Sequence, residues 1–225
     1  MSGDGWLRGA ELLPGGRGRD YNLDMATVGT TSWGDIPQLP LGAEHRVRFS
    51  REAYHRMFET GMLSREKRYE LVDGEVVMMS PLGPSNSAII SRLTEFFVKR
   101  LPTSLECRVQ LPIVVSDHSE PEPDLAIVRR CDSNYRDEHP APADIGLLIE
   151  VASSSLNFDL GRKQRLYANS QIPEYWVVDV EDQTVVVHRQ LKAGAYIDVA
   201  RVGVDATIAP LAAPQCQLDL GWLFR

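Results

Sequence analysis

The sequence has 225 residues, enough for one ordinary domain with a terminal extension. Its 24 Lys and Arg stand against 31 Asp and Glu, and the formal net charge of −7 argues against a protein that coats nucleic acid with a broad basic surface. The sequence has no apolar run long enough to cross a membrane and no convincing secretory signal. Its three cysteines lie outside any CxxC pair, which argues against a disulfide scaffold and predicts a cytoplasmic protein.

The first 45 residues differ in composition from the rest of the chain. Gly and Pro recur there, and no apolar period lasts more than a few residues. This pattern predicts a flexible N-terminal extension over residues 1–45. Residues 46–225 alternate helix and strand signals without an internal repeat, so we predict a single domain there.

The domain begins with a short helix, a hairpin and a longer helix. Ser50 is placed to cap a helix over REAYHRMFETG (51–61). The segment RYELVDGEVVMMSP (68–81) predicts a β-hairpin, because alternating runs flank Asp73-Gly74, a dipeptide favoured in two-residue turns. The spacing of apolar residues predicts an amphipathic helix over 86–100, whose buried face carries Ile89, Leu93, Phe96 and Phe97.

Strand signals dominate the second half of the chain. CRVQLPIVVS (107–116) and PDLAIVRR (123–130) predict two strands, and the apolar run IGLLIEVAS (145–153) is typical of a central strand covered on both faces. NFDLGRKQRLYANSQ (157–171) has helical spacing, and a second hairpin and further short strands follow. We expect the closing LDLGWLF to pack on the core. Together these signals predict an α/β (α+β) fold with a mixed central β-sheet flanked by helices.

Two carboxylates stand at the ends of predicted strands. Glu150 closes the apolar run of the central strand, and Asp124 lies between Pro123 and the apolar sequence LAIV. A buried carboxylate is costly unless it is paired or holds a metal, and two at neighbouring strand ends would form an oxygen site suited to magnesium or manganese. The alternative is that each residue marks a strand end in solvent.

A third element brings a lysine toward the same place. Asp159, Lys163 and Tyr167 are four residues apart and share one face of the helix that follows Glu150. Lys163 is therefore placed to orient water or to balance developing charge on a phosphate. An Asp–Lys pair on a solvated helix face explains the spacing equally well. Glu70 joins this set if the 69–79 hairpin lies over the site.

The remaining polar residues and motifs narrow the function. His118 and His139 lie in polar loops and are predicted to be surface residues, and Asp73 and Glu75 are explained by the hairpin turn and its exposed strand. The sequence has no GxSxG, GxxxxGK[ST], GxGxxG or HExxH motif, which removes the commonest hydrolase, P-loop, Rossmann and zincin interpretations.

Five pieces of the chain stand in the order of a known family pattern. They are YELVDGEVVMMSP, EPD at 122–124, LLIEVASSS, D-x-x-x-K-x-x-x-Y-A at 159–168, and IPEYWVVD at 172–179. Over residues 46–225 the chain resembles the Uma family of restriction-endonuclease-like proteins, in the PD-(D/E)XK nuclease superfamily. The resemblance implies a central mixed sheet, a divalent metal, Mg or Mn, near the strand ends, and DNA as substrate.

The resemblance also implies roles for individual residues. Pro123-Asp124 matches the PD element, Glu150 matches the acidic residue of the (D/E)XK element, and Glu70 matches the family's early acidic residue. The lysine position of that element is Ala152 here, and the family supplies its lysine from the following helix, where Lys163 stands. Asn86 is a second departure, because many relatives are expected to have histidine there.

These observations favour a metal-dependent endonuclease. Asp124 and Glu150 would hold the metal, together with the Val151 carbonyl and with Glu70 directly or through water, and Lys163 would act on the water or the phosphate. The predicted partner is nucleic acid, with DNA preferred, and no membrane association is expected. A homodimer is compatible with this interpretation. One alternative is a catalytically idle nuclease-fold module that binds nucleic acid or a protein partner, which the acidic net charge favours. A weaker one is a hydrolase of another phosphate ester.

We expect the N-terminal extension to be dispensable for folding. Deleting residues 1–40 removes little periodic apolar sequence, so the free energy of unfolding should change by no more than about 1 kcal/mol. Urea unfolding of the full chain and the truncated chain measures this difference. A large loss of cooperative unfolding would show that Trp6, Leu12, Leu13 or Trp33 belongs to the core and that the domain boundary is wrong.

Overall fold

The computed structural model describes residues 47–225, and the predicted extension over residues 1–45 lies outside them. The helices are α1 (Arg51–Glu59), α2 (Pro84–Arg100), α3 (Leu156–Phe158), α4 (Gln164–Asn169) and α5 (Leu220–Leu223). A π-helical turn, Asp159–Lys163, joins α3 to α4, and a 3-10 turn, Pro142–Asp144, precedes the central strand. None of the helices in this range is long and apolar enough to cross a membrane.

The strands between residues 47 and 225 form one large sheet and two small ones. Their bounds are β1 (Tyr69–Val72), β2 (Glu75–Met78), β3 (Leu105–Val109), β4 (Leu125–Arg129), β5 (Ile145–Ala152), β6 (Tyr175–Asp179), β7 (Thr184–Lys192), β8 (Ala195–Val202), β9 (Thr207–Ile208) and β10 (Leu218–Asp219). The six-stranded sheet has the order β3-β4-β5-β6-β7-β8, in which the β5–β6 pair is parallel and every other pair is antiparallel. The predicted mixed sheet flanked by helices is therefore confirmed.

Strand β5 lies inside the sheet and separates two halves of the core. Leu147, Ile149 and Val151 pack in the cluster that includes the apolar face of α2. Leu148 and Ala152 pack in the other cluster, which includes the residues of α4. Because side chains alternate along a strand, Glu150 projects to the same side as Leu148 and Ala152, toward α4. The predicted central strand is thus confirmed, and its alternation determines which helix meets Glu150.

The β1–β2 hairpin forms as predicted around Asp73-Gly74. Both turn residues have positive φ, 51° for Asp73 and 78° for Gly74, as a two-residue turn of the I′ type requires. The hairpin is attached to the domain through backbone hydrogen bonds between Leu71 and Glu120, with N···O distances of 3.2 and 2.8 Å. These bonds fix β1 against the segment that leads into Asp124.

The sequence prediction for residues 107–116 is wrong in its second half. Strand β3 ends at Val109, because Gln110 adopts a positive φ of 50° and Pro112 offers no backbone N–H to a ladder. Gln110 instead donates its backbone N–H to the carbonyl of Asp124, at 3.0 Å. The loop that replaces the predicted strand therefore runs beside the start of β4.

A buried carboxylate holds the C-terminal segment on the sheet. Glu174 is fully buried and accepts hydrogen bonds from Trp176 Nε1 at 2.8 Å, Leu211 N at 2.6 Å and Arg189 Nε at 2.7 Å. The segment beyond it packs its leucines in the α2 cluster, as expected for LDLGWLF: Leu218, Leu220 and Leu223. This packing closes the face of the sheet that α2 covers.

Candidate active site

The site lies where strand β5 extends beyond its neighbour β4. The ladder between the two strands ends at the pair of Leu125 and Ile149, so Val151 continues past it. The backbone N–H of Val151 donates to Asp124 Oδ2 at 2.8 Å, and its carbonyl accepts from Asn86 Nδ2 at 2.8 Å. Side chains thus replace the missing strand, and this replacement fixes the Asp124 carboxylate one residue away from Glu150.

Lys163 joins two buried carboxylates. Its Nζ lies 2.9 Å from Glu150 Oε1 and 3.0 Å from Glu70 Oε2, and all three side chains are buried. Asp159, one turn earlier, is also only 3% exposed. The interpretation of Asp159 and Lys163 as a pair on a solvated face is therefore wrong, because the π-helical turn that carries both is packed against the end of β5.

Further hydrogen bonds hold the carboxylates of Glu70, Glu150 and Asp159 in place. Tyr167 donates from its hydroxyl to Glu150 Oε1 at 3.0 Å, and Ser155 donates to Asp159 Oδ2 at 2.7 Å. Glu70 Oε2 accepts the backbone N–H of Glu122 at 3.3 Å. Glu150 and Glu70 are thus each oriented by a second donor besides Lys163, and Asp159 is oriented by Ser155.

Arg162 docks the hairpin over the site. It donates to the carbonyl of Val72 at 2.6 Å and to Glu75 Oε2 at 2.6 Å, and it lies 3.5 Å from Asp73 Oδ2. Because β1 is the strand that carries Glu70, this clasp brings Glu70 to Lys163. The hairpin therefore lies over the end of β5, as the sequence interpretation of Glu70 required.

All four predicted catalytic residues line one cavity of about 250 Å³. The charged and amide side chains of its lining are Glu70, Asn86, Asp124, Glu150, Asp159 and Lys163. Its rim is partly apolar, with contributions from Met78, Met79, Leu82 and Phe158. His118 and His139, which were predicted to be surface residues, are partly exposed and do not line this cavity.

The electrostatics of the cavity are dominated by burial and by an excess of negative charge. Burial raises the pKa of Glu150 well above its usual value; the attraction of Lys163 opposes this rise, and the nearby charges of Asp159, Asp124 and Glu70 add to it. Burial raises the pKa of Asp159 to about 6 against the same attraction. For Lys163, burial lowers the pKa, but the attraction of Glu150, Glu70 and Asp159 outweighs it, so the pKa lies above its ordinary value. Lys163 is therefore a fixed positive charge and not a base.

The donor set of the cavity fits a hard divalent cation. Between residues 47 and 225 no three His, Cys, Asp or Glu side chains are grouped to hold a metal ion by themselves. Magnesium needs no such cage, since it is commonly held by one or two carboxylates with water and substrate phosphate. Asp124 and Glu150 offer those carboxylates, and the Val151 carbonyl keeps a second lone pair beside its bond from Asn86.

The sequence analysis missed three supporting residues. Tyr167 was visible as a neighbour of Lys163 on the helix, but its hydrogen bond to Glu150 depends on how closely α4 approaches β5. Asn86 was noted only as a departure from the family pattern and Gln110 was not singled out, because their hydrogen bonds to Val151 and Asp124 depend on tertiary contacts. Gln110 Nε2 donates to Asp124 Oδ1 at 3.2 Å, so it depends on the loop that replaced a predicted strand.

Comparisons with known proteins identify the family and the fold of the chain. A family model described as "Uma2: Putative restriction endonuclease" matches residues 51–221. The structure is similar to a crystal structure described as a "putative nuclease belonging to DUF820" from Anabaena variabilis ATCC 29413. The two share a TM-score of 0.64 and 17% sequence identity over 78% of this chain and 97% of that chain, which establishes a common fold. No curated protein matches the sequence significantly.

Asp159→Asn should stabilise the metal-free protein, increasingly so at higher pH. The folded protein holds the Asp159 proton more tightly than the unfolded chain, whose pKa is near 3.8, so stability from this group is lost as the pH rises through about 6. The asparagine has no charge to bury. We expect the free-energy advantage of the variant to grow by about 1–2 kcal/mol between pH 4.5 and pH 7.5. Urea unfolding in EDTA at both pH values measures it.

Asp137→Asn is the matched control, because this carboxylate is exposed on the surface. Its unfolding free energy should follow that of the wild type at both pH values. A stability difference for Asp159→Asn that stays constant with pH would contradict the raised pKa of the buried carboxyl.

Proposed function

The chain belongs to the Uma2 family of restriction-endonuclease-like proteins, as its motifs predicted, and we propose that it is a divalent-metal-dependent endonuclease that hydrolyses phosphodiester bonds in DNA. The observation that carries this proposal is the buried lysine held between two carboxylates at the end of β5, beside Asp124. A core gains nothing in stability from so many charges, because replacing a buried ion pair by apolar residues is often neutral or stabilising. Their convergence on one open cavity therefore supports a chemical role.

Asp124 and Glu150 are the residues that would hold the cation, with the Val151 carbonyl as a third oxygen. Both hydrogen bonds to the Glu150 carboxylate end on Oε1, which leaves Oε2 without a partner among the described residues. The carboxylates of the cavity outnumber its one lysine, so a divalent charge is the natural complement. When bound, the cation supplies Lewis-acid polarisation of the phosphate and makes water a stronger nucleophile.

Lys163 would stabilise the negative charge that develops on the phosphate during attack. Its ammonium is held charged by its neighbours, and a preorganised charge in a partly dry cavity stabilises a transition state without reorganisation. A lysine in this protonation state cannot accept a proton from water, so its contribution is charge and hydrogen bonding. Glu70, which contacts Nζ at 3.0 Å, would hold the ammonium in position.

The competing function is a nuclease-fold module that binds nucleic acid or a protein partner without cleaving it. The net charge of −7 favours it, since surplus negative charge weakens the attraction for a polyanion. The ion-paired lysine and the two carboxylates oriented on one cavity favour the enzyme instead. A metal-titrated cleavage assay on supercoiled and single-stranded DNA separates the two functions.

Glu150→Gln should weaken metal binding by about tenfold or more while the protein stays folded. The amide keeps the shape of the side chain and can still accept from Lys163 and Tyr167, but it lacks the charge that a hard cation requires. Calorimetric titration with manganese at pH 7.5 measures the affinity, and a thermal melt verifies folding.

Glu174→Gln provides the control for burial, because Glu174 is a buried carboxylate that pairs with Arg189 away from the cavity. Its manganese affinity should equal that of the wild type. If Glu150→Gln binds manganese as tightly as the wild type, Glu150 is not a ligand.

Lys163→Met should lower the single-turnover rate of DNA cleavage by about 100-fold or more at saturating magnesium or manganese. The change leaves Glu70 and Glu150 without their cation, so a loss of stability is also expected. Manganese affinity separates the two effects. A folded Lys163→Met variant should bind manganese at least as tightly as the wild type, because only a positive charge is removed. A variant whose site has collapsed would bind no manganese.

Lys99→Met is the matched control, since Lys99 pairs with Glu95 on the exposed face of α2. It should cleave at the rate of the wild type. A folded Lys163→Met variant that cleaves as fast as the wild type would remove Lys163 from the chemistry, and a wild type that binds DNA but cleaves it with neither metal would favour the binding module.

A further inference from the structure

A second cavity, of about 350 Å³, lies at the start of strand β1, on the side of the hairpin away from Lys163. We call it the β1 groove and define it by three rings and three cations: Tyr54, Phe58, Tyr69, Arg65, Lys67 and Arg68. The other four lining residues are His55, Pro112, Glu120 and Glu122. The endonuclease chemistry proposed above uses none of these side chains.

The groove carries a positive charge that its own carboxylates do not neutralise. Glu120 is paired with Arg51, at 2.8 Å, and Glu122 is paired with Arg68. Arg65 and Lys67 are exposed, and neither forms a salt bridge with a described carboxylate. Glu66 lies between them in the sequence but is not among the residues that line the groove. Two free cations therefore face the groove in a protein whose net charge is −7.

The rings of the groove are available as apolar contacts. Phe58 and Tyr69 are half-exposed, and their centroids lie 6.0 Å apart at an interplanar angle of 65°. Tyr54 supports them from below: it is buried, its ring lies 5.2 Å from that of Phe58, and its hydroxyl donates to the carbonyl of Tyr69. Aromatic faces beside cations suit a strand whose bases are unpaired, because each base has a face to stack and each phosphate has a charge to neutralise.

The groove and the catalytic cavity lie on opposite faces of β1, at its first residues. Tyr69 lines the groove, and Glu70, the next residue, lines the catalytic cavity. Glu122 contacts both, since its backbone N–H donates to Glu70 and its carboxylate accepts from Arg68. A nucleic-acid strand that reaches both cavities therefore has to pass round the first residues of the hairpin, where Glu122 lies.

We propose that the β1 groove binds a single-stranded segment of nucleic acid next to the phosphate that is cleaved, with Arg65 and Lys67 on its phosphates and Phe58 and Tyr69 on its bases. This inference rests on the proposed endonuclease function, because it takes the strand to be the one that enters the catalytic cavity. It also explains how an acidic protein holds a polyanion: the attraction is concentrated at one groove instead of spread over the surface.

The test is the affinity of the full-length protein for a fluorescent single-stranded DNA 20-mer, measured in EDTA so that no cleavage occurs. The double variant Arg65→Ala/Lys67→Ala should bind at least tenfold more weakly at low salt. Its slope of log affinity against log salt should be shallower by about 1.4, since each lost contact to a single strand removes about 0.7. Thermal melts verify that the variant is folded.

Arg130→Ala/Lys192→Ala is the matched control, because these two exposed cations also lack a carboxylate partner among the described residues and lie outside the groove. It should bind as the wild type does. Phe58→Leu keeps apolar packing but removes the ring, and it should weaken single-strand binding at least fivefold without weakening duplex binding. Single-stranded RNA, duplex DNA and polyglutamate complete the set of probes and identify the class of partner.

Several outcomes overturn the inference: equal affinity of the wild type and the Arg65/Lys67 variant, an equal loss in the control variant, tighter binding of duplex than of single strands, or binding of polyglutamate in place of nucleic acid. Hydrolysis of bis-p-nitrophenyl phosphate with manganese reports on the catalytic cavity alone. If the protein hydrolyses this diester but the Arg65/Lys67 variant binds single strands as tightly as the wild type, only the groove proposal is overturned. If the protein hydrolyses neither this diester nor DNA but binds single strands through Arg65 and Lys67, the endonuclease proposal is overturned and the groove proposal is supported.

Discussion

The ion pair between Lys163 and two buried carboxylates is the constraint on which the arrangement of the molecule depends. Glu150 faces α4 from the central strand, and a carboxylate in that position is stable only with a cation beside it. Lys163 satisfies it from the helix, and Glu70 adds a second charge from the hairpin. Strand, helix and hairpin are therefore joined through one ammonium, and the loss of any partner leaves a charge buried without compensation.

An offset between two strands converts this ion pair into an open cavity. If β4 were as long as β5 at this end, its backbone would cover Val151 and no side chain would be needed there. Because β4 begins at Leu125, Asp124 and Asn86 complete the hydrogen bonding of Val151, and both side chains line the cavity. The Asp124 carboxylate thus lies at the site because the loop before β4 ends at Asp124, beside Val151.

Much of this arrangement is written in local sequence, and the rest depends on contacts between distant segments. The unbroken apolar run before Glu150 predicts the central strand, and Asp73-Gly74 predicts the hairpin, because both signals involve only neighbouring residues. Burial of Lys163 could not be decided from its spacing, since exposed and buried helix faces share the same period. Likewise Gln110 ends a strand that its apolar neighbours predict, through a positive φ that no residue type there requires.

The position of Ala152 explains why the lysine comes from a helix. In the PD-(D/E)XK pattern that the sequence resembles, a lysine stands two residues after the acidic residue on the same strand and therefore on the same face. Here that position is a fully buried alanine packed in the cluster that contains Leu166 and Tyr167 of α4. A long side chain there would occupy the space of the helix, whereas alanine lets α4 approach until Tyr167 reaches Glu150. The small side chain of Ala152 thus leaves room for the helix, and the lysine on the helical segment places its ammonium beside the carboxylate of Glu150.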